Sequence, residues 1–151
     1  MLEKESFYQM NGGERKMRME ERISRMLITL GITSRLKGYA YLITGLQMAI
    51  KCPECVTNIT KELYPDIAKE HKTQPEKVER GIRHAILVSQ TQGSMIKLNS
   101  LLNCEAYNMG DKLTNSRFIA LAAERLRYMA LDGEQELSLI HISEPTRHLR
   151  I

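Results

Sequence analysis

Tryptophan is absent, and aromatic residues make up only 5% of the chain. Aliphatic side chains and nine methionines must therefore fill any core, and methionine packs irregular gaps between helices. β-Branched runs with period-two alternation are missing, so no strand is expected. No apolar run reaches the roughly 18 residues that a membrane span needs. No apolar stretch follows Met1-Leu2-Glu3-Lys4. No secretory signal is therefore expected, and the cytoplasm is the expected setting. The cysteines number three, and an odd count argues against a disulfide framework. A phosphate-cradling glycine loop, a Ser/His/Asp order and paired catalytic carboxylates are also missing. Neither enzyme activity nor a cofactor is expected.

What is present suits one all-α domain with tails. Hydrophobic residues reach 42% of the 151, enough for a single core. The formal net charge is +4, a surplus that permits a phosphate-binding face without proving one. Residues 1–21 are polar, include Asn11-Gly12-Gly13, and read as linker or disordered tail, turning helical near Glu14. Helices are predicted at about Glu20–Leu30, ended by Gly31, and Leu36–Ile50, where Tyr39, Leu42, Ile43, Leu46 and Ile50 keep helical spacing. Others follow at about Val56–Glu70, Gln74–Gln92, Ile96–Leu102 and Arg117–Ala130, with Asn103–Leu113 as loop. Thr114-Asn115-Ser116 offers N-caps to the last. Residues 22–131 form the domain, and 132–151 read as a disordered tail. Within that tail the run Leu137–Arg147 resembles the conceptual translation of a transposase adapter from sequencing libraries. Residues 137–151 are therefore expected to be foreign.

The chemistry concentrates in two helices joined by His71-Lys72-Thr73. So short a turn forces a steep crossing, for which Ala68 and Val78 are small enough. Thr73-Gln74-Pro75-Glu76 has the capping-box pattern, and Pro75 falls in the first turn, where its missing donor costs nothing. On the second helix Val78, Ile82, Ala85 and Ile86 share one face. Glu76, Arg80, Arg83 and His84 lie on the other, with Lys77 and Glu79 at its flanks. In a helix-turn-helix this polar face meets base edges in the major groove. Arginine grips guanine O6 and N7, and glutamate accepts from cytosine N4. The same charges could equally be solvated i,i+4 pairs, Glu76–Arg80 and Glu79–Arg83.

Other features are weaker. Cys52-Pro53-Glu54-Cys55 reads as turn filler, because a structural zinc site needs four ligands and only Cys104 and scattered histidines remain. No metal site is expected. His84 has no obvious carboxylate or thiol partner and reads as a surface histidine.

At these residues the chain resembles a family, the C-terminal effector domain of the sporulation response regulator stage zero sporulation protein A. The matching runs are Ile32-Thr33-Ser34 with Leu36–Leu42, Leu63–Lys69, Val78–Ile86 and Thr114–Ala120, spanning about Ile23 to Met129. The resemblance implies a compact six-helix domain containing a helix-turn-helix. It binds short boxes of double-stranded DNA, often as a head-to-tail pair, and activates or represses promoters when sporulation begins. It implies base contacts from Glu79, Arg80 and Arg83, with Lys77 and His84 at the DNA surface. The stretch from about Gln92 to Asn103 would touch the sigma subunit of RNA polymerase, and the helix at about Ser116–Arg127 would serve pairing and activation. A competing class is a helix-turn-helix module that binds protein rather than specific DNA.

Departures from the family pattern carry expectations too. Gly81 replaces a common alanine and should cost about 1 kcal/mol of helix stability. His71 replaces a common aromatic and should loosen packing under the turn. Lys72 stands where Asn or Gly would suit a left-handed conformation. Family members carry a phosphorylated receiver domain, which residues 1–21 cannot form. The expectation is interdomain linker or a stand-alone effector, with constitutive but weak DNA binding.

Overall fold

In a computed structural model the backbone is described from Asn11 to Ile142 and side chains from Arg18 to Met129. Among the described residues there are seven α-helices: α1 (Asn11–Thr29), α2 (Lys37–Lys51), α3 (Glu54–Thr57), α4 (Tyr64–Glu70), α5 (Pro75–Thr91), α6 (Lys97–Leu102) and α7 (Asn115–Ile142). There is no strand among the described residues. The all-α reading holds. The helix expected at Val56–Glu70 accounts for the difference from six, because it is split in pieces. Pro65 has no N–H to give to Lys61, so the regular ladder slips there. A π-helical turn at Ile59–Leu63 separates α3 from α4, and the Tyr64 N–H reaches back to the Ile59 carbonyl.

Helix covers residues 11–21, earlier than the turn to helix expected near Glu14, and α7 continues through 132–142. No proline interrupts either stretch, and Glu, Arg, Lys, Met and Leu favour helix. The rest of the expected N-terminal tail, 1–10, and the end of the adapter-like run, 143–151, lie outside the described residues.

Helices stop where local chemistry says they should. Gly31 (φ 81°) and Gly93 (φ 79°) take the left-handed conformation that an L side chain resists. At each, the next N–H bonds back across the turn: Ile32 to the Leu27 carbonyl at 2.8 Å, Ser94 to that of Ser89 at 3.0 Å. Lys72 adopts the same conformation (φ 55°) without a glycine's freedom, and the following Thr73 N–H bonds to the Ala68 carbonyl. Thr73 is thereby drawn into the turn. Gln74 becomes the N-cap of α5 and no side chain caps it, so the expected capping box does not form. Pro75 does occupy the first turn. At α7 the Thr114 hydroxyl accepts from the Arg117 N–H at 3.2 Å, as an N-cap should.

The core runs between α2, α5 and α7. Leu42, Leu46, Ile82, Phe118 and Leu126 are all fully buried, each contributing about 1.5–3 kcal/mol. Arg127 of α7 caps α2, donating from Nε to the Ile50 carbonyl at 3.1 Å and from an Nη to that of Ala49 at 3.0 Å. Arg125 does the same for α6 at the Leu101 carbonyl.

Two further expectations change. A Cβ added at Gly38 of α2 would fall on the Gly81 carbonyl oxygen, and one added at Gly81 would lie 2.9 Å from the Tyr41 ring. Gly81 is therefore a crossing point of α2 and α5, not merely a weak helix former. His71 packs edge-on to Tyr41, with centroids 5.2 Å apart, and its Nε2 lies 2.7 Å from Thr44 Oγ1. The turn is filled rather than loosened. Finally, Cys52 and Cys55 form a disulfide, correcting the turn-filler reading, while Cys104 is free and exposed. The bend between α2 and α3 sets their Cα atoms 5.6 Å apart, within the range a disulfide spans.

Candidate nucleic-acid interface

Helices α4 and α5 make the helix-turn-helix. Ala68 and Val78 are buried at its crossing, as their size requires. Val78, Ile82, Ala85 and Ile86 anchor α5 in the core. That fixes the opposite face outward. Lys77, Arg80, Arg83 and His84 are exposed there, and Glu79 is half-buried. None of the five is lost to the interior.

One ion pair shapes this face. The Glu79 carboxylate accepts from an Arg83 Nη at 2.8 Å. An exposed i,i+4 pair adds only about 0.3–0.5 kcal/mol to stability. Its effect on geometry is larger: it aims the guanidinium and leaves its remaining N–H groups free. Arg80, by contrast, has no ion pair within reach among the described residues.

Beneath this pair sits a buried polar node. Asn115 Nδ2 donates to Tyr64 Oη at 2.9 Å and to the Glu79 carbonyl at 3.1 Å. Burial pushes the Tyr64 phenol above its ordinary value. The Asn115 hydrogen bond lowers it, the Glu79 carboxylate raises it and Arg83 lowers it again.

All five residues line one open concavity of about 1140 Å³. The structure adds residues that sequence reading missed. Arg35 and Lys37 enter from the start of α2; Lys112 and Thr114 enter from the loop before α7, and Ser116 from its first turn. That loop is held in place. Asn99 Oδ1 accepts from the Ala106 and Tyr107 N–H groups, both at 2.9 Å, and its Nδ2 donates to the Tyr107 carbonyl. Gln90 of α5 donates to the Asp111 carbonyl at 3.0 Å, so Lys112 is tied to the recognition helix itself. Arg35, Lys37, Lys77, Arg80, Arg83 and Lys112 face only Glu79 and Asp111, a surplus of four positive charges. The N-terminal turns of α2 and α7 also border the concavity, and such turns attract phosphate. Only the order of basic residues just before two helix starts could have hinted at them.

No group of three or more His, Cys, Asp or Glu among the described residues could hold a metal ion. No described helix is long and apolar enough to cross a membrane.

A helix-turn-helix with an exposed, basic recognition helix defines a class of DNA-binding regulatory domains. Within it the match is specific: residues 23–126 match the family model described as Sporulation initiation factor Spo0A C terminal. The chain belongs to this family of sporulation-related DNA-binding effector domains, which is not an enzyme family.

Proposed function

We propose that the domain reads short DNA boxes sequence-specifically and regulates transcription as sporulation begins. Helix α5 enters the major groove. Arg80 takes a guanine through two hydrogen bonds, and Arg83, aimed by Glu79, takes a second base. Lys77 and His84 approach the backbone beside them. Arg35, Lys37 and Lys112 grip the phosphates on either side. Two copies bind head to tail with α7 between them, and the segment from Gln92 to Asn103 faces the sigma subunit of RNA polymerase. The setting is the cytoplasm.

One observation carries this reading: the recognition residues and cations from two distant segments converge on a single positive concavity. A protein-binding module has no need for such convergence, and its partner affinity would not follow salt as steeply. The test is fluorescence anisotropy with a duplex selected from random DNA and its scrambled counterpart. Arg80→Ala should lower specific affinity by about 10-fold or more, the worth of one bidentate contact, and non-specific affinity far less. Equal losses on both duplexes would reduce Arg80 to a phosphate contact. With about four phosphates neutralised, by Lys77, Arg35, Lys37 and Lys112, log K should fall against log salt with a slope of about −4.

A further inference from the structure

We infer that Asn115 is a positioning residue that sets base specificity from outside the recognition helix. This rests on the DNA reading above. The observation is the node itself. Asn115 is 9% exposed and belongs to the first turn of α7, yet its carboxamide reaches two other helices. One bond goes to Tyr64, the first residue of α4. The other goes to the main chain of α5 at Glu79. A helix carbonyl has a second lone pair beyond that used by its i+4 partner, so it accepts this donor without losing its place in the ladder.

The point of attachment matters. Glu79 is where the reading residues begin, and its own carboxylate holds Arg83. Asn115 therefore fixes the rotation and depth of α5 at the turn that carries Arg80 and Arg83. Apolar packing alone does this poorly. Val78, Ile82 and Ala85 resist withdrawal of the helix, but a smooth apolar seam tolerates small rotations about its axis. A directional hydrogen bond does not. Tyr64 orients the carboxamide and is itself placed by the π-helical turn that precedes it. The node thus links both halves of the helix-turn-helix to α7. A shift of α7 would be felt at the base-reading turn.

The test compares the wild-type chain with Asn115→Asp and Tyr64→Phe by anisotropy on the selected and scrambled duplexes. Asn115→Asp keeps the side chain's size but sets an acceptor against the Glu79 carbonyl. Its ratio of specific to non-specific affinity should fall about tenfold, the equivalent of one misdirected bidentate contact. The added carboxylate weakens both duplexes alike, so it cancels in the ratio. Tyr64→Phe removes the orienting hydroxyl and should lower the ratio by about threefold, a smaller loss because the Glu79 bond survives. Circular dichroism establishes which variants fold. Should Asn115→Asp fail to fold, Tyr64→Phe decides alone: an unchanged ratio overturns the positioning role. So does an unchanged ratio in folded Asn115→Asp, or an equal fall on both duplexes, which would mark a purely structural residue. A wild-type chain that cannot tell the two duplexes apart would instead overturn the DNA reading, and the positioning role with it, before any variant is compared.

Discussion

Replacing Gly38 with alanine probes how the recognition helix is seated. The new Cβ would fall on the Gly81 carbonyl oxygen and lie 2.8 Å from both the Gly81 carbonyl carbon and Ala85 Cβ. Carbon atoms in ordinary contact sit about 3.5–4.0 Å apart, so α2 and α5 must separate by about 1 Å. None of these neighbours can swing aside: two are main-chain atoms, and a Cβ moves only with its helix. Overpacking a close-packed seam costs about 1–3 kcal/mol, and the rigid neighbours here put Gly38→Ala near about 3 kcal/mol. For a domain of this size each kcal/mol is about 4 °C, so the melting midpoint should fall by about 12 °C. Gly81→Ala is the informative control. Its Cβ would meet two atoms of the Tyr41 ring at 2.9 and 3.0 Å, and a ring edge can yield. Alanine also regains about 1 kcal/mol of helix propensity, leaving the variant close to the wild type. Thermal denaturation followed at 222 nm reads both. A Gly38→Ala midpoint within about 2 °C of the wild type, or a larger loss for Gly81→Ala, would refute the close crossing.

Two other perturbations probe the turn and the buried node. Lys72 holds a left-handed conformation that costs a non-glycine residue about 1–2 kcal/mol, so Lys72→Gly should stabilise the domain. Glycine's greater freedom in the unfolded chain returns part of this, for a net gain of about 0.5–1 kcal/mol in urea denaturation. A lower midpoint would show that the lysine makes a compensating contact. The Tyr64 phenol has a raised pKa in the folded state, mainly through burial. Folding therefore favours its neutral form. That contribution is whole below about pH 10, the unfolded value, and is lost as pH rises beyond it. Urea midpoints should decline above pH 10 more steeply for the wild type than for Tyr64→Phe. Parallel declines would place the phenol in solvent.

Sequence and structure agree where the deciding chemistry is local. The limits of α5 follow from Pro75 at one end and Gly93 at the other, both within a turn of the residues they terminate. Its buried and exposed faces follow from spacing alone, so which of its side chains face outward was legible. The capping box failed for an equally local reason that its pattern does not encode. The left-handed Lys72 carries the Thr73 N–H back to the Ala68 carbonyl, and the cap passes to Gln74. Pro65 shows the limit of periodicity: apolar spacing runs through it, while the hydrogen-bond ladder cannot. The Cys52–Cys55 bond shows another, because spacing gives proximity and not pairing.

What stayed hidden is of one physical kind. Gly38 meets Gly81, Asn115 meets Glu79, and Gln90 meets Asp111, each pair distant in sequence and joined only by folding. These three contacts set where α5 lies, how it is rotated and which lysine accompanies it. The outward side chains of α5 are written along one helix, but their aim is determined by other elements. It follows that specificity can change through positions that touch no nucleotide. On the DNA reading proposed above, a variant of the recognition helix alters which bases are contacted. A variant of Gly38 or Asn115 alters whether an unchanged set of side chains can reach them together.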